Sequence, residues 1–529
     1  MQQAPAPGGR FEPRGSVGFR GRSVFRGTPQ APPRRGPERG APRSDGIGSL
    51  TNAAPLRKRE ARRSLERFAA AVDEAGRLAT GGFEMSTSLQ EQRQASQSDG
   101  GGVQGNGGVE AVSARAYEPQ APPYDPVCSP PHSLEKRLVE RLLEVAQCWD
   151  VGVRLWDGTV VSAPGATPKF CIHVFRRRTM YLILGNPLLE FGDAYARGEI
   201  GVEGDLVALL ESIYRGIANP DFGKSWRVRM THWFNRRRKN SLKRSQDNVW
   251  RHYDIGDDFY ELWLDREMVY TCAYFANPEA TLEEAQTAKL DHVCRKLRLR
   301  PGDRVTEAGC GWGSLALHMA KKYGARVRAF NISKAQLEYA RRRARVEGLD
   351  SQVEFIDDDY RNITGECDAF VSVGMLEHVG RENYEALGRV IDRCLSPNGR
   401  GLLHSIGQNT PAEVNPWIRK RIFPGAYPPT LREALSVLEP FGFSILDVEN
   451  LRLHYAQTLR HWLSRYEASV DQVAAMFDEK FVRTWRLYLS GSIAGFKVGA
   501  LQLFQIVFAR PDLNDLPWTR AHLYETAAP

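Results

Sequence analysis

Hydrophobic and polar positions divide the chain into stretches of different character. Residues 1–130 are rich in Gly, Pro, Arg, Ser and Gln, with runs such as "APPRRGPERGAPR" and "SDGGGVQGNGG". Such a stretch cannot bury enough apolar surface to offset its chain entropy, so it is expected to be a disordered, low-complexity tail. From "SLEKRLVERLLEVA" (133–146) apolar residues recur at helical spacing, with Ser133 as the expected N-cap. The alternating segments "VGVRLW", "KFCIHVF" and "TMYLILG", then "LLEFGDAYARGEIGVEGDLVALLESIY", predict a small α+β domain over 131–220.

Residues 221–246 interleave Lys and Arg with Trp226, Trp233 and Phe234, a pattern that suits either an anionic membrane surface or a solvated linker. From 247 to 529 the periodicity alternates between strand and helix. Strands are expected at 304–309, 326–331, 353–357, 368–375, 399–406, 443–450 and 502–509. That order predicts an α/β fold, a doubly wound seven-stranded Rossmann-like sheet. Residues 408–441, after the fifth of these strands, are too long for a plain turn and are expected to be a helical substrate cover.

Charge and cysteine usage narrow the classes. A net charge of +9 and a pI near 9.1 favour an anionic partner, nucleic acid or lipid surface. The cysteines show no CxxC or Cys/His ligand spacing, which argues against structural zinc and a disulfide framework. No signal-type apolar segment and no run of about 18 apolar residues is present. The expected location is cytoplasmic, or peripheral on the inner face of the membrane. The Arg-Gly tail fits RNA contact, a solvated extension, or an upstream reading frame before a start near Met85.

"VTEAGCGWGS" (305–314) ends one expected strand and opens a helix, where such sheets bind ligands. Gly309, Gly311 and Gly313 alternate, unlike GxGxxG, and no Gly-Lys-Ser/Thr follows, so neither a pyrophosphate nor a triphosphate site is matched. Glu307 would repel a phosphate but suits the ammonium and sulfonium of S-adenosylmethionine. Asp359 and Tyr360 close the third of these strands, where they can hold and cover an adenine. Asn331 ends the second, where an amide can bond ribose hydroxyls. "SVGMLEHVG" puts Glu377 and His378 just past the fourth, and "LLHSIG" puts His404 at the end of the fifth, a polar cluster facing the donor.

With "HYDIGDDFYELWLD", "VYTCAYF", "GCGWGSLA", "NISKAQLEYA", "IFPGAYPP" and "HYAQTL", these segments resemble, in order, the cyclopropane-fatty-acyl-phospholipid synthases and mycolic acid cyclopropane synthases. The resemblance runs from about 133 to the C-terminus. It implies S-adenosylmethionine-dependent alkylation of the cis double bond of an acyl chain in a phospholipid, with the N-terminal domain engaging lipid. It also implies a bound bicarbonate as base, with contacts at Cys272, Glu377, His404, Ile406 and Tyr455. Donor contacts carry over to Tyr270, Thr271, the loop through Glu307, Gly309, Gly311 and Gly313, Asn331 through Gln336, Asp359, Tyr360 and Arg361. Glu307 stands where the family usually has Asp, Asn331 where Thr is common, and Ser492 where many members carry Cys.

The implied partners are an anionic phospholipid surface with unsaturated acyl chains and, optionally, a second copy of the chain. A plain methyl transfer is the alternative product. A nucleic-acid methyltransferase is disfavoured because "GMLEHVG" replaces a base-reading motif, and an inactive lipid-binding module because the polar cluster is complete.

Overall fold

The helix Ser133–Val145 is capped one residue earlier than its sequence suggests, by His132, whose N–H donates to Glu135 at 2.7 Å. Ser133 is therefore the first helical residue. The same Glu135 carboxylate takes a forked bond from Arg177 (2.7 and 2.8 Å) and the Tyr181 hydroxyl (2.6 Å). Arg177 above all holds that carboxyl down at about 2, pinning the first helix to the next layer.

The computed structural model describes residues 129–217 and 255–524. The expected tail up to residue 128 and the basic linker 221–246, with Trp226, Trp233 and Phe234, lie outside the described residues.

In the N-terminal domain four strands, β1 (Val151–Arg154), β2 (Val160–Ser162), β3 (Phe170–Val174) and β4 (Ile200–Glu203), form a sheet of order β2-β1-β3-β4. "TMYLILG" is not a strand. It belongs to the helix Arg177–Gly185, which leads directly into the helix Pro187–Ala196. A short apolar run carries no periodicity to separate the two states, and here the Asn186–Pro187 junction favours a second helix start. The helix Leu206–Ile217 closes the domain.

The larger sheet contains β5 (Arg304–Ala308), β6 (Arg326–Asn331), β7 (Val353–Asp357), β8 (Cys367–Val373), β9 (Leu395–Gly407), β10 (Ser444–Asn450) and β11 (Gln502–Ala509), in the order β10-β11-β9-β8-β5-β6-β7. Only β11 runs antiparallel to its neighbours. This is the expected mixed α/β sheet. After β7 the chain crosses to the other side of β5, so a crevice opens beyond the carboxyl ends of β5 and β8, where open α/β sheets place their ligands.

The cover segment forms the short helices Pro416–Arg421 and Leu431–Leu435. It is docked on the N-terminal domain: Arg421 pairs with Asp193 through two bonds (2.9 and 2.7 Å). Gly192 leaves room for Trp417, whose ring would lie 2.5 Å from any Cβ there. A second tie comes from the helix Glu479–Lys497, where buried Arg483 donates to the carbonyls of Tyr195 (2.6 Å) and Ile200 (3.0 Å). One apolar core accordingly runs from β1 through Leu209 and Leu489 to the aromatic group of Phe259, Tyr260, Trp263, Trp462 and Trp485.

Candidate active site

The glycine loop behaves differently at each of its three positions, all of which have positive φ. A Cβ on Gly313 would lie 2.6 Å from Phe355 and 2.8 Å from Ala340, so this glycine lets the helix Ser314–Tyr323 pack tightly on its neighbours. A Cβ on Gly309 would touch Met375 at 3.0 Å. One on Gly311 meets nothing within 4 Å, because that position faces open space. Asn331 holds the loop: its amide donates to the Gly311 carbonyl (3.2 Å) and to Gln336 Oε1 (2.8 Å), and its oxygen accepts from the Ile332 N–H (2.8 Å). Its side chain braces the loop and also lines the cavity, where the sequence placed a ribose contact.

That open space is a cavity of about 620 Å³. Of the expected donor residues, Tyr270, Thr271, Glu307, Gly309, Gly311, Asn331, Gln336, Asp359, Tyr360 and Arg361 line it. So do Glu377, His404, Ile406 and Tyr455 of the expected bicarbonate set. Gly313 and Cys272 are not among the lining residues. Cys272 is fully buried, with Sγ bonded to the carbonyl of Ala273 (3.1 Å), and burial pushes its thiol far above the ordinary range. Asp359 does not close β7, which ends at Asp357; it caps the turn Tyr360–Asn362 and accepts from the Arg361 N–H at 3.0 Å.

Two electrostatic features define the cavity wall. Glu307, at the end of β5, is buried with Oε2 lacking a partner, and burial pushes its carboxyl up to about 8 against the pull of Lys289. Lys289, from the helix Leu282–Leu297, is buried too. It donates to Thr271 Oγ1 (3.0 Å), and desolvation brings it down to about 8. An unsatisfied buried carboxyl beside open space fits a ligand that carries positive charge, and the α-ammonium and sulfonium of S-adenosylmethionine meet that requirement.

The second feature is a pair of orphaned polar atoms. Glu377 Oε1 accepts from the Ile406 N–H at 2.5 Å, while Oε2 has no partner, and burial raises this carboxyl to about 7. The Ile406 N–H is therefore held by Glu377, and Ile406 lines the cavity beside it. His404 Nε2 is likewise buried without a partner. Its tautomer follows from a row of side chains across three strands. Strand register sets Glu449, Gln505 and His404 abreast on β10, β11 and β9.

Lys296 Nζ donates to Glu449 Oε2 (2.5 Å) and Gln505 Oε1 (2.7 Å), and His292 shares Glu449 at 2.7 Å. With its oxygen taken by an ammonium, Gln505 must turn its NH₂ to His404 Nδ1, 3.0 Å away. Nδ1 accepts, so the ring proton sits on Nε2 and points to the cavity. Desolvation, reinforced by Lys289 and Lys296, keeps the ring neutral. Burial alone would raise Glu449, but His292 and Lys296 outweigh it and hold that carboxyl at about 2.

A buried N–H donor and a buried carboxyl with a free oxygen, both opening on one cavity, fit a small anion that can also donate, such as bicarbonate. Around them the wall is apolar and aromatic: Phe330, Met375, Phe423, Leu459 and Phe496. Sequence reasoning did not single out Lys289, Lys296 or Gln505. "AKLDHVCRKL" and "LQLFQIVF" look like ordinary amphipathic and core segments, and a glutamine in the middle of an apolar strand was the only available signal.

Comparison with known proteins agrees with this geometry. The family described as mycolic acid cyclopropane synthetase matches residues 240–506, and a domain family of unknown function matches 138–219. A Pseudomonas putida protein named "Probable fatty acid methyltransferase" is 34% identical over 70% of this chain and 95% of its own length. The cyclopropane-fatty-acyl-phospholipid synthase of Escherichia coli K12 is 42% identical over 50% of this chain and 68% of its own. For the fold alone, coclaurine N-methyltransferase in complex with N-methylheliamine and SAH superimposes with a TM-score of 0.51 at 22% identity, covering 61% of this chain and 99% of that one. A glycine loop built for a cationic donor, a seven-stranded methyltransferase sheet and these matches together make the chain a member of the mycolic acid cyclopropane synthetase family of S-adenosylmethionine-dependent methyltransferases.

Proposed function

We propose that this enzyme transfers a methylene group from S-adenosylmethionine to the cis double bond of an acyl chain in a phospholipid, closing a cyclopropane ring with bicarbonate as the base. The observation that carries this reading is the isolated pair Glu377 Oε2 and His404 Nε2 in an otherwise apolar wall. S-adenosylmethionine supplies an electrophilic methyl group, and the olefin is nucleophile enough, so no activated serine or cysteine is required. Glu377 and His404 would hold bicarbonate, whose chemistry there is that of an acceptor for one proton. Glu307 and Lys289 set the charge at the donor end. The apolar and aromatic wall keeps water away from the substrate cation that forms when the new carbon bond is made.

The basic sequence of the linker 221–246 supports work at an anionic phospholipid surface, with the enzyme peripheral to the membrane. Among the described residues no helix is long and apolar enough to cross a membrane. A second reading, a methyl-branched product, draws on the Pseudomonas putida relative named as a fatty acid methyltransferase.

Purified enzyme, labelled S-adenosylmethionine and vesicles of cis-unsaturated phosphatidylglycerol test the proposal. The expected product is an acyl chain heavier by one CH₂, formed more slowly when bicarbonate is stripped from the buffer. An exocyclic methylene branch, equal in mass to the ring but distinguished by its olefinic protons in NMR, supports the second reading, and its conversion to a methyl branch with two further hydrogens requires an added hydride donor and reductase. Label in neither product, or label in added RNA instead, refutes both.

A further inference from the structure

A second cavity, of about 170 Å³, is lined mostly by the N-terminal domain, with apolar residues that include Val139, Leu142, Ile172, Met180, Ile183 and Phe191, and is closed by Trp417, Ile418 and Leu487 from the cover and the helix Glu479–Lys497. A space lined in this way offers few partners to an ordered water and suits an apolar ligand. It adjoins the active-site cavity. Leu188, Tyr214, Ile217, Asn415, Ile418 and Gly491 line both cavities, so the two share one wall.

Tyr214 stands on the helix Leu206–Ile217 and faces the helix Glu479–Lys497 at Gly491 and Gly495. A Cβ on Gly491 would lie 3.2 Å from the Tyr214 hydroxyl, and one on Gly495 would lie 3.8 Å from its ring. Glycine weakens a helix interior relative to alanine, yet two occur four residues apart on this face. Their bareness lets Tyr214 pack close against this helix at the junction. The cover closes the same place from the other side, since Asn415 and Ile418 precede the Arg421–Asp193 tie.

We propose that the N-terminal domain measures the acyl chain. The segment beyond the double bond runs past Tyr214 and ends in the second cavity, so this domain sets how much chain the enzyme accepts on the methyl side of the reacting carbons. The inference rests on the acyl-lipid substrate proposed above. The position of this cavity directly against the reaction cavity and its apolar lining favour this occupant.

The test uses the full-length enzyme and phosphatidylglycerol vesicles holding an equal mixture of two acyl chains. Both have the cis bond at the same distance from the carboxyl group, but their methyl ends differ by about four carbons. Ile183→Trp fills the second cavity from the Arg177–Gly185 helix, and Leu142→Trp fills it from the opposite side. Each is expected to lower the ratio of long-tailed to short-tailed product at least tenfold relative to wild type, since a pocket discriminates roughly tenfold or more per methylene at its end. Gly491→Ala, which strengthens its helix while narrowing the junction, keeps the test informative if a tryptophan variant fails to fold, and its ratio should fall in the same direction. Donor affinity, read by calorimetry, should stay at the wild-type value in all three. Ratios equal to wild type in variants that bind the donor normally overturn the proposal. A wild-type enzyme that alkylates no acyl lipid overturns instead the substrate reading beneath it.

Discussion

Gln505→Leu should cripple the reaction while sparing the donor site. Gln505 is fully buried on β11 and touches no open space, so leucine of similar volume can fill its place. Two bonds disappear: the charge-assisted one from Lys296 (2.7 Å) and the one to His404 Nδ1 (3.0 Å). Lys296 keeps Glu449, but His404 loses the donor that places its proton on Nε2. Leaving a buried ring nitrogen unpaired costs about 1–3 kcal/mol. Spent on orienting the base site, that amount corresponds to a roughly 5- to 150-fold loss in kcat.

Because donor contacts are elsewhere, KM for S-adenosylmethionine should move by less than about twofold. Gln505→Glu should do more damage, since a carboxylate accepts rather than donates and draws the proton onto Nδ1, leaving Nε2 without one. The assay is product formation on phospholipid vesicles at several bicarbonate concentrations. It is paired with ¹⁵N shifts of His404 in labelled protein, which report the tautomer directly. If Gln505→Leu melts at a lower temperature yet retains wild-type kcat and bicarbonate dependence, the row of side chains is structural and the reasoning fails.

Other consequences follow from the same geometry. Burial raises Glu307 to about 8, and a bound cation favours its ionised form, so donor affinity should increase with pH from about 6 to 7.5, below the titration of the donor's own amine, by at most about tenfold per unit. Calorimetry checks this, and Glu307→Gln should flatten the profile. The same substitution removes a carboxyl whose folded value lies above its ordinary one, a cost that is absent at low pH and grows as pH rises through the range. The variant should therefore stabilise the ligand-free enzyme at neutral pH by up to roughly 3 kcal/mol; a lower melting temperature there contradicts the account. Gly313→Ala and Gly311→Ala should separate packing from binding. The first, clashing with Phe355 and Ala340, should lower stability by about 2–4 kcal/mol, whereas the second should cost about 1 kcal/mol of strain but raise donor KM tenfold or more.

Local pattern carried much of this molecule. Each strand of the larger sheet stands within a few residues of its expected place, because alternating strand and helix periods in a βαβ series leave few topologies open. The glycine triplet, Glu307, Glu377 and His404 were readable because their chemistry sits at strand ends, where an open α/β sheet collects its ligands. What stayed hidden had no local signature. "TMYLILG" is too short to declare its period, and the bracing bonds of Asn331 to the glycine loop depend on the loop's fold.

Gln505, Lys296 and Glu449 are ordinary residues until cross-strand register sets them beside His404. Lys289 needs the burial that only packing provides. The junction at Tyr214 needs two helices separated by more than 260 residues of sequence to meet through a pair of glycines. Sequence determined the class of fold and the type of donor, because those depend on period and on charge at fixed spacing. Tertiary structure decided which protons are where and how far the apolar space extends, because both depend on distance and dielectric between residues remote along the chain.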